Sequence, residues 1–163
     1  MQQFGFDIIG THLDIRIDTS EDCSVLFSDI ETRLQDFEAR YSRFISGNWL
    51  DILNQKRTAT LDEDARKMLL YTLEVACKTD GYFDPTVGNR LTELGYWVRW
   101  TMNSEQWTVM EKWYWDYRDI EVVWDQVILH WDILLEFGGV GKGYLIDVIR
   151  QQIMNYELWI MNC

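Results

Sequence analysis

The chain has 163 residues, room for one domain with a real core, and its 47% hydrophobic and 26% charged content is ordinary for a soluble globular protein. Its net charge of -12 argues against nucleic acid or anionic membrane as the main partner, because both require a positive surface. A local pocket for an anionic ligand remains open, no apolar run reaches the length of a transmembrane helix, and no signal peptide is expected.

In chain order, Leu13, Ile15 and Ile17 alternate with Asp14, Arg16 and Asp18, the pattern of a half-buried strand. Thr19 to Asp22 is polar and rich in helix-capping types. Leu26, Ile30, Leu34, Phe37, Tyr41 and Phe44 then recur at helical spacing and predict one amphipathic helix. Ser46-Gly47-Asn48 reads as the loop after it. Thr60-Leu61-Asp62-Glu63 matches a capping box, followed by a helix that turns Ala65, Met68, Leu69, Leu73 and Ala76 inward and stops near Asp80-Gly81. Phe83 to Tyr96 opens as a turn around Pro85 and continues as a short helix. Trp97 to Asp119 shows no period and reads as a loop or insert. Ile120 to Val123, Val127 to Leu129 and Ile133 to Phe137 are expected as three short strands of a meander. Tyr144 to Ile153 is expected as a helix, with Leu145, Ile146, Ile149 and Ile153 on one side. This order fits an α+β domain better than a doubly wound sheet.

Cys23, Cys77 and Cys163 are scattered and odd in number, which argues against a disulfide framework or a zinc site. His12 and His130 are isolated and read as ordinary polar residues.

Glu136 to Asp147 (EFGGVGKGYLID) places a glycine-rich turn between an apolar segment and a helix start. Unpaired backbone N–H groups and the positive end of the helix dipole suit an anion there. Lys142 adds a positive charge and Glu136 a carboxylate. Neither the P-loop nor the dinucleotide fingerprint is matched: Glu136 and Gly143 stand where a P-loop has its first glycine and its Ser/Thr, and Tyr144 stands where the dinucleotide motif has its last glycine. The turn alone suits a ligand site or simple packing of helix on strand equally well.

Four segments together resemble the FAD:protein FMN transferase (ApbE) family. Ile9-Gly10-Thr11 is similar to its opening M-G-T. Residues 37–54 (FEARYSRFISGNWLDILN) resemble its helix and the loop that ends in Leu-Asn. Residues 79–95 (TDGYFDPTVGNRLTELG) resemble T-x-G-x-F-D-P-T-V-G, and Glu136 to Asp147 resembles D-[FL]-G-G-[IV]-A-K-G-Y-x-x-D. The segments fall in the family's order.

The resemblance implies an ApbE-like, T-fold-like α+β domain with an antiparallel sheet packed by helices. It implies FAD as substrate, a divalent metal (usually Mg2+) on the pyrophosphate, and transfer of FMN to a Ser or Thr hydroxyl of a target flavoprotein with release of AMP. Some relatives mainly hydrolyse FAD. Position by position, it implies flavin or FAD contacts at Ile9 (usually Met), Phe44, Asp84, Pro85, Thr86, Glu136 (usually Asp) and Lys142, and a metal contact from the Gly139 carbonyl. The residues alone permit blander roles: a turn carboxylate for Asp84 and core packing for Phe44.

Family members run to roughly twice this length. Residues 1–153 are therefore expected to be the amino-terminal part of such a domain, with 154–163 a non-matching tail. The family's remaining metal ligands belong to the other half, so the chain is expected to be inactive alone. Members are often exported or membrane-anchored.

There are nine tryptophans. Trp124-Asp125 and Trp131-Asp132 fall at expected tight turns, where positive φ favours glycine. Trp97 follows Gly95-Tyr96, where the family has glycine, and Trp100, Trp107, Trp113 and Trp115 crowd a polar stretch. Two readings stand: UGA codons that the source organism decodes as glycine, or a tryptophan-rich interaction loop.

Overall fold

The computed structural model describes residues 1–93 and 116–161. They fall into two units: residues 1–42 together with the chain from Gly141 onward, and residues 43–140. Both mix helices with antiparallel strands, as the α+β expectation requires.

The first unit opens on a hairpin of β1 (Gln2–Ile8) and β2 (Thr11–Ile17), in register from Gln2↔Ile17 to Ile8↔Thr11. β2 is the expected strand, with Ile15 and Ile17 buried. β1 carries no alternating apolar signal, because most of its residues face solvent. Ile9 and Gly10 make the two-residue turn, both at positive φ (47° and 68°). Glycine takes that conformation freely; a β-branched isoleucine does not.

Helix α1 (Ser24–Tyr41) buries Leu26, Phe27, Ile30, Leu34, Phe37 and Tyr41, the expected stripe without its last member. The backbone turns extended at Ser42, so Phe44 lies beyond the helix and is 47% exposed. Core packing is therefore not what Phe44 does. The long closing helix, called α5 here (Gly141–Met161), packs against α1, with Leu145 and Ile149 buried and Tyr144 stacked on Phe37 at 6.3 Å. It starts within the glycine-rich turn and runs past Ile153, longer at both ends than the expected helix.

The second unit begins with the unexpected helix α2 (Trp49–Lys56), capped by Asn48, whose Oδ1 accepts the Asp51 N–H at 2.9 Å. Strand β3 (Thr58–Thr60) leads to α3 (Glu63–Lys78). The cap of α3 is Asp62, which accepts from Ala65 N at 2.8 Å; Thr60 belongs to β3, so the expected box is displaced by a competing strand. Ala65, Met68, Leu69, Thr72 and Ala76 are buried on α3, and Leu73 is half-buried. Thr72 satisfies its hydroxyl on Met68 O at 2.6 Å. Helix α4 (Gly88–Glu93) follows the Pro85 turn.

After a short 3₁₀ turn (Tyr117–Asp119), strands β4 (Ile120–Val123) and β5 (Gln126–Leu129) close a three-stranded antiparallel sheet in the order β3-β5-β4. Trp124 and Trp131 sit at the turns at either end of β5, with φ of 56° and 61° and exposures of 89% and 74%. The expectations for Trp97, Trp100, Trp107, Trp113 and Trp115 lie outside the described residues. No described helix is long and apolar enough to cross a membrane.

Residues 133–137 do not form the third meander strand. Ile133, Leu135 and Phe137 are buried in strict alternation, but the only pairing among the described residues is an isolated parallel bridge from Leu134 to Val87. Side chains hold the backbone instead. Asn54 donates to Leu135 O at 3.0 Å and accepts from Leu135 N at 2.8 Å. Arg57 donates to Ile133 O. Pro85 accepts from Glu136 N at 2.9 Å and, lacking an N–H, cannot extend a ladder.

Candidate functional site

The second unit brings most of the sequence-derived candidates together. Thr79 ends α3 by bonding back to Val75 O through its hydroxyl at 2.9 Å, and the same oxygen accepts Phe83 N at 3.1 Å. Gly81 at φ 78° lets the chain double back. The result is a tight coil that presents Asp84-Pro85-Thr86. Asp84 Oδ1 accepts both the N–H and the hydroxyl of Thr86, at 2.8 and 2.7 Å. Its Oδ2 accepts Tyr117 N at 3.1 Å. In this arrangement the Asp84 carboxylate is a turn-former, the role its side-chain type favours. Pro85 and Thr86 are buried, and Pro85 docks residue 136 through its carbonyl.

Glu136 follows directly. Its side chain is 9% exposed and its Oε1 lies 3.1 Å from Arg43 Nη1, with the Arg43 side chain 23% exposed. The same guanidinium sits over the Phe44 ring at 4.8 Å. Arg43 thus ties Phe44 to Glu136, and Glu136 to Pro85. The sequence reading missed Arg43. It adjoins Phe44, but its partner is 93 positions away, and nothing local announces such a pair.

The glycines of the turn answer to packing at two positions. A Cβ on Gly138 would run into the Glu136 carboxylate, 2.9 Å from Oε2, and one on Gly139 would stand 2.8 Å from Phe83 Cε2. Neither has positive φ. Gly143, by contrast, has nothing within 4 Å of where its Cβ would be.

Two candidates belong to the first unit. Ile9 is half-buried at the β1–β2 turn, its strained backbone N–H bonded to Glu38 Oε1 at 2.8 Å. Lys142 is exposed in the first turn of α5. Among the described residues, no three His, Cys, Asp or Glu side chains gather as a metal set. The Gly139 carbonyl is one donor and does not make a magnesium site by itself, so no chemical step below is routed through a metal.

Residues 9–158 match the family model described as the ApbE family. The chain belongs to the ApbE family. Solved structures of ApbE proteins share its fold. The apo flavinyl transferase ApbE of Pseudomonas stutzeri superposes with a TM-score of 0.76 at 15% identity, over 94% of this chain and 55% of that one. The ApbE protein of Thermotoga maritima gives 0.78 at 21% identity, over 95% of this chain and 53% of that one. The flavin transferase ApbE of Vibrio cholerae gives 0.76 at 15%, over 94% and 53%. This chain therefore spans about half the length of these ApbE structures. A search of curated proteins finds no match.

Proposed function

We propose that the protein works in FAD:protein FMN transfer, and that this chain supplies one wall of the FAD site. The observation that carries the reading is the convergence of Phe44, Asp84-Pro85-Thr86, Glu136 and Gly139 within one unit of an ApbE-family chain, linked through Arg43 and the Pro85 carbonyl. The family resemblance also implies cofactor contacts at Ile9 and Lys142, which belong to the other unit. In the proposed reaction a Ser or Thr hydroxyl of an acceptor flavoprotein bonds to the FMN phosphorus. The pyrophosphate bond breaks, AMP leaves, and the hydroxyl proton is lost to solvent or a base. Such a transfer depends on positioning and charge neutralisation more than on covalent participation by the protein. A divalent metal, Mg2+ in the family resemblance, enters in one respect: the Gly139 carbonyl is the donor this chain would give it.

The test is incubation with FAD, Mg2+ and a candidate flavoprotein, read by intact mass. Addition of one FMN to the acceptor, together with AMP, supports transfer when the remaining ApbE length is supplied. AMP release with no acceptor mass shift points to FAD hydrolysis instead. If FAD neither binds nor raises the melting temperature, the reading is wrong.

A further inference from the structure

Among the described residues, Arg43 is the one group that hydrogen-bonds the Glu136 carboxylate, and it engages Oε1 alone. No buried side-chain oxygen or nitrogen there lacks a partner. The second oxygen, Oε2, therefore has no partner among the described residues and keeps some contact with solvent, although the side chain as a whole is 9% exposed. The residue is held at two points and given room at a third. Arg43 holds Oε1, Pro85 O holds the residue's own N–H at 2.9 Å, and glycine at 138 leaves space for the carboxylate, where a Cβ would press on Oε1 and stand 2.9 Å from Oε2. The guanidinium is itself braced over the Phe44 ring at 4.8 Å.

We propose that Arg43 is the positioning residue of this site: it pins Oε1 so that Oε2 is the acceptor offered to an N–H or O–H of the ligand. The proposal rests on the functional reading above and adds a residue and a recognition chemistry to it. A carboxylate with one oxygen held and the other unpartnered can only accept, so it recognises an N–H or O–H donor. The paired guanidinium also cancels the charge that a bare carboxylate would set against an anionic ligand, where like charges repel. Arginine suits the task because its planar fork keeps its geometry, while lysine supplies the same charge from a flexible stem.

FAD carries such donors on both halves, so the test uses FAD, riboflavin and AMP as separate probes, with binding to the full chain followed by fluorescence and calorimetry. E136Q is expected to weaken FAD binding about 10-fold or more, and to weaken whichever of riboflavin or AMP carries the donor. R43M should weaken FAD about as much. The R43M/E136Q double variant should be no weaker than E136Q to within about 2-fold, since the two act as one unit. R43K, which restores the charge without the fork, should recover only part of the loss. A purely structural Arg43 would instead lower the melting temperature and leave the E136Q effect intact in the R43M background, which overturns the proposal. So does an R43M protein that binds FAD like wild type, or losses that multiply in the double variant. Wild-type protein that binds no FAD overturns the functional reading and this one with it; wild-type binding with independent losses overturns this one alone.

Discussion

Replacing Trp124 and Trp131 by glycine is expected to stabilise the protein. Both residues hold left-handed φ, 56° and 61°, which costs an L-residue about 1–2 kcal/mol. Glycine removes that strain but frees the unfolded chain, an opposing term of about 0.5–1 kcal/mol. The indole rings are 89% and 74% exposed, so removing them forfeits little burial. The net gain is about 0.5–1 kcal/mol at each site. The sites lie at opposite ends of β5 and should add, to about 1–2 kcal/mol for the pair. For a chain of this size that is a rise of about 2–8 °C in Tm. The assay is thermal and urea unfolding of wild type, both single variants and the double.

Trp49 is the control. It lies in α2, donates its indole N–H to Thr60 O at 2.8 Å and stacks on Phe137 at 6.4 Å, so Trp49→Gly should cost about 2 kcal/mol or more. Unchanged or lowered stability in the Trp124→Gly/Trp131→Gly protein refutes the strain argument. The coding DNA offers an independent check on recoding. UGA at 124 and 131 with UGG at 49 is the expected pattern, and UGG at all three ends that reading while leaving the stability prediction in place.

Three further outcomes follow from single contacts. Asn54→Ala leaves both backbone groups of the buried Leu135 without their partner and should cost about 2–5 kcal/mol in urea unfolding. Gly139→Ala drives a methyl into the Phe83 ring and should cost about 1–3 kcal/mol, largely recovered in a Gly139→Ala/Phe83→Leu double variant. His12 titrates above its ordinary 6.5, chiefly because Asp7 Oδ1 hydrogen-bonds its Nδ1 at 2.7 Å. With the folded value raised, this pair's contribution is fully present below pH 6.5 and fades as pH rises through the folded value. An NMR titration should show the upward shift in wild type and its loss in Asp7→Asn.

The elements read correctly from the sequence are those whose burial is periodic: β2, α1, α3, β4, β5 and the helix after the glycine turn. The ones missed lack that signal. β1 is mostly exposed, β3 is three residues long, and α2 follows a loop signal that masks its own cap at Asn48. Residues 133–137 show the converse failure. Their alternation is real, but alternation reports which side is buried and not what pairs with the backbone. Of the candidate residues, Phe44, Asp84 and Glu136 can be named from the sequence because they stand inside recognisable motifs. Arg43 stands in the same 37–54 motif, yet its pairing is not legible there, because an ion pair between residues 43 and 136 exists only once the chain has folded.

The manner in which residues 133–137 are held has a consequence for how the protein behaves in a crowded solution. Ile133 to Phe137 is an apolar extended run of the kind that recruits strands from other molecules when its main chain is bare. Here the Ile133 and Leu135 carbonyls and the Leu135 and Glu136 amides are occupied by Arg57, Asn54 and Pro85, and Gly88 N reaches Leu134 O at 3.3 Å. Four residues elsewhere in the unit, clasping through side chain or main chain, thus act as a guard against self-templating. Loosening Asn54 exposes an adhesive edge as well as lowering stability, and its variants should form β-rich aggregates at concentrations where wild type stays dispersed.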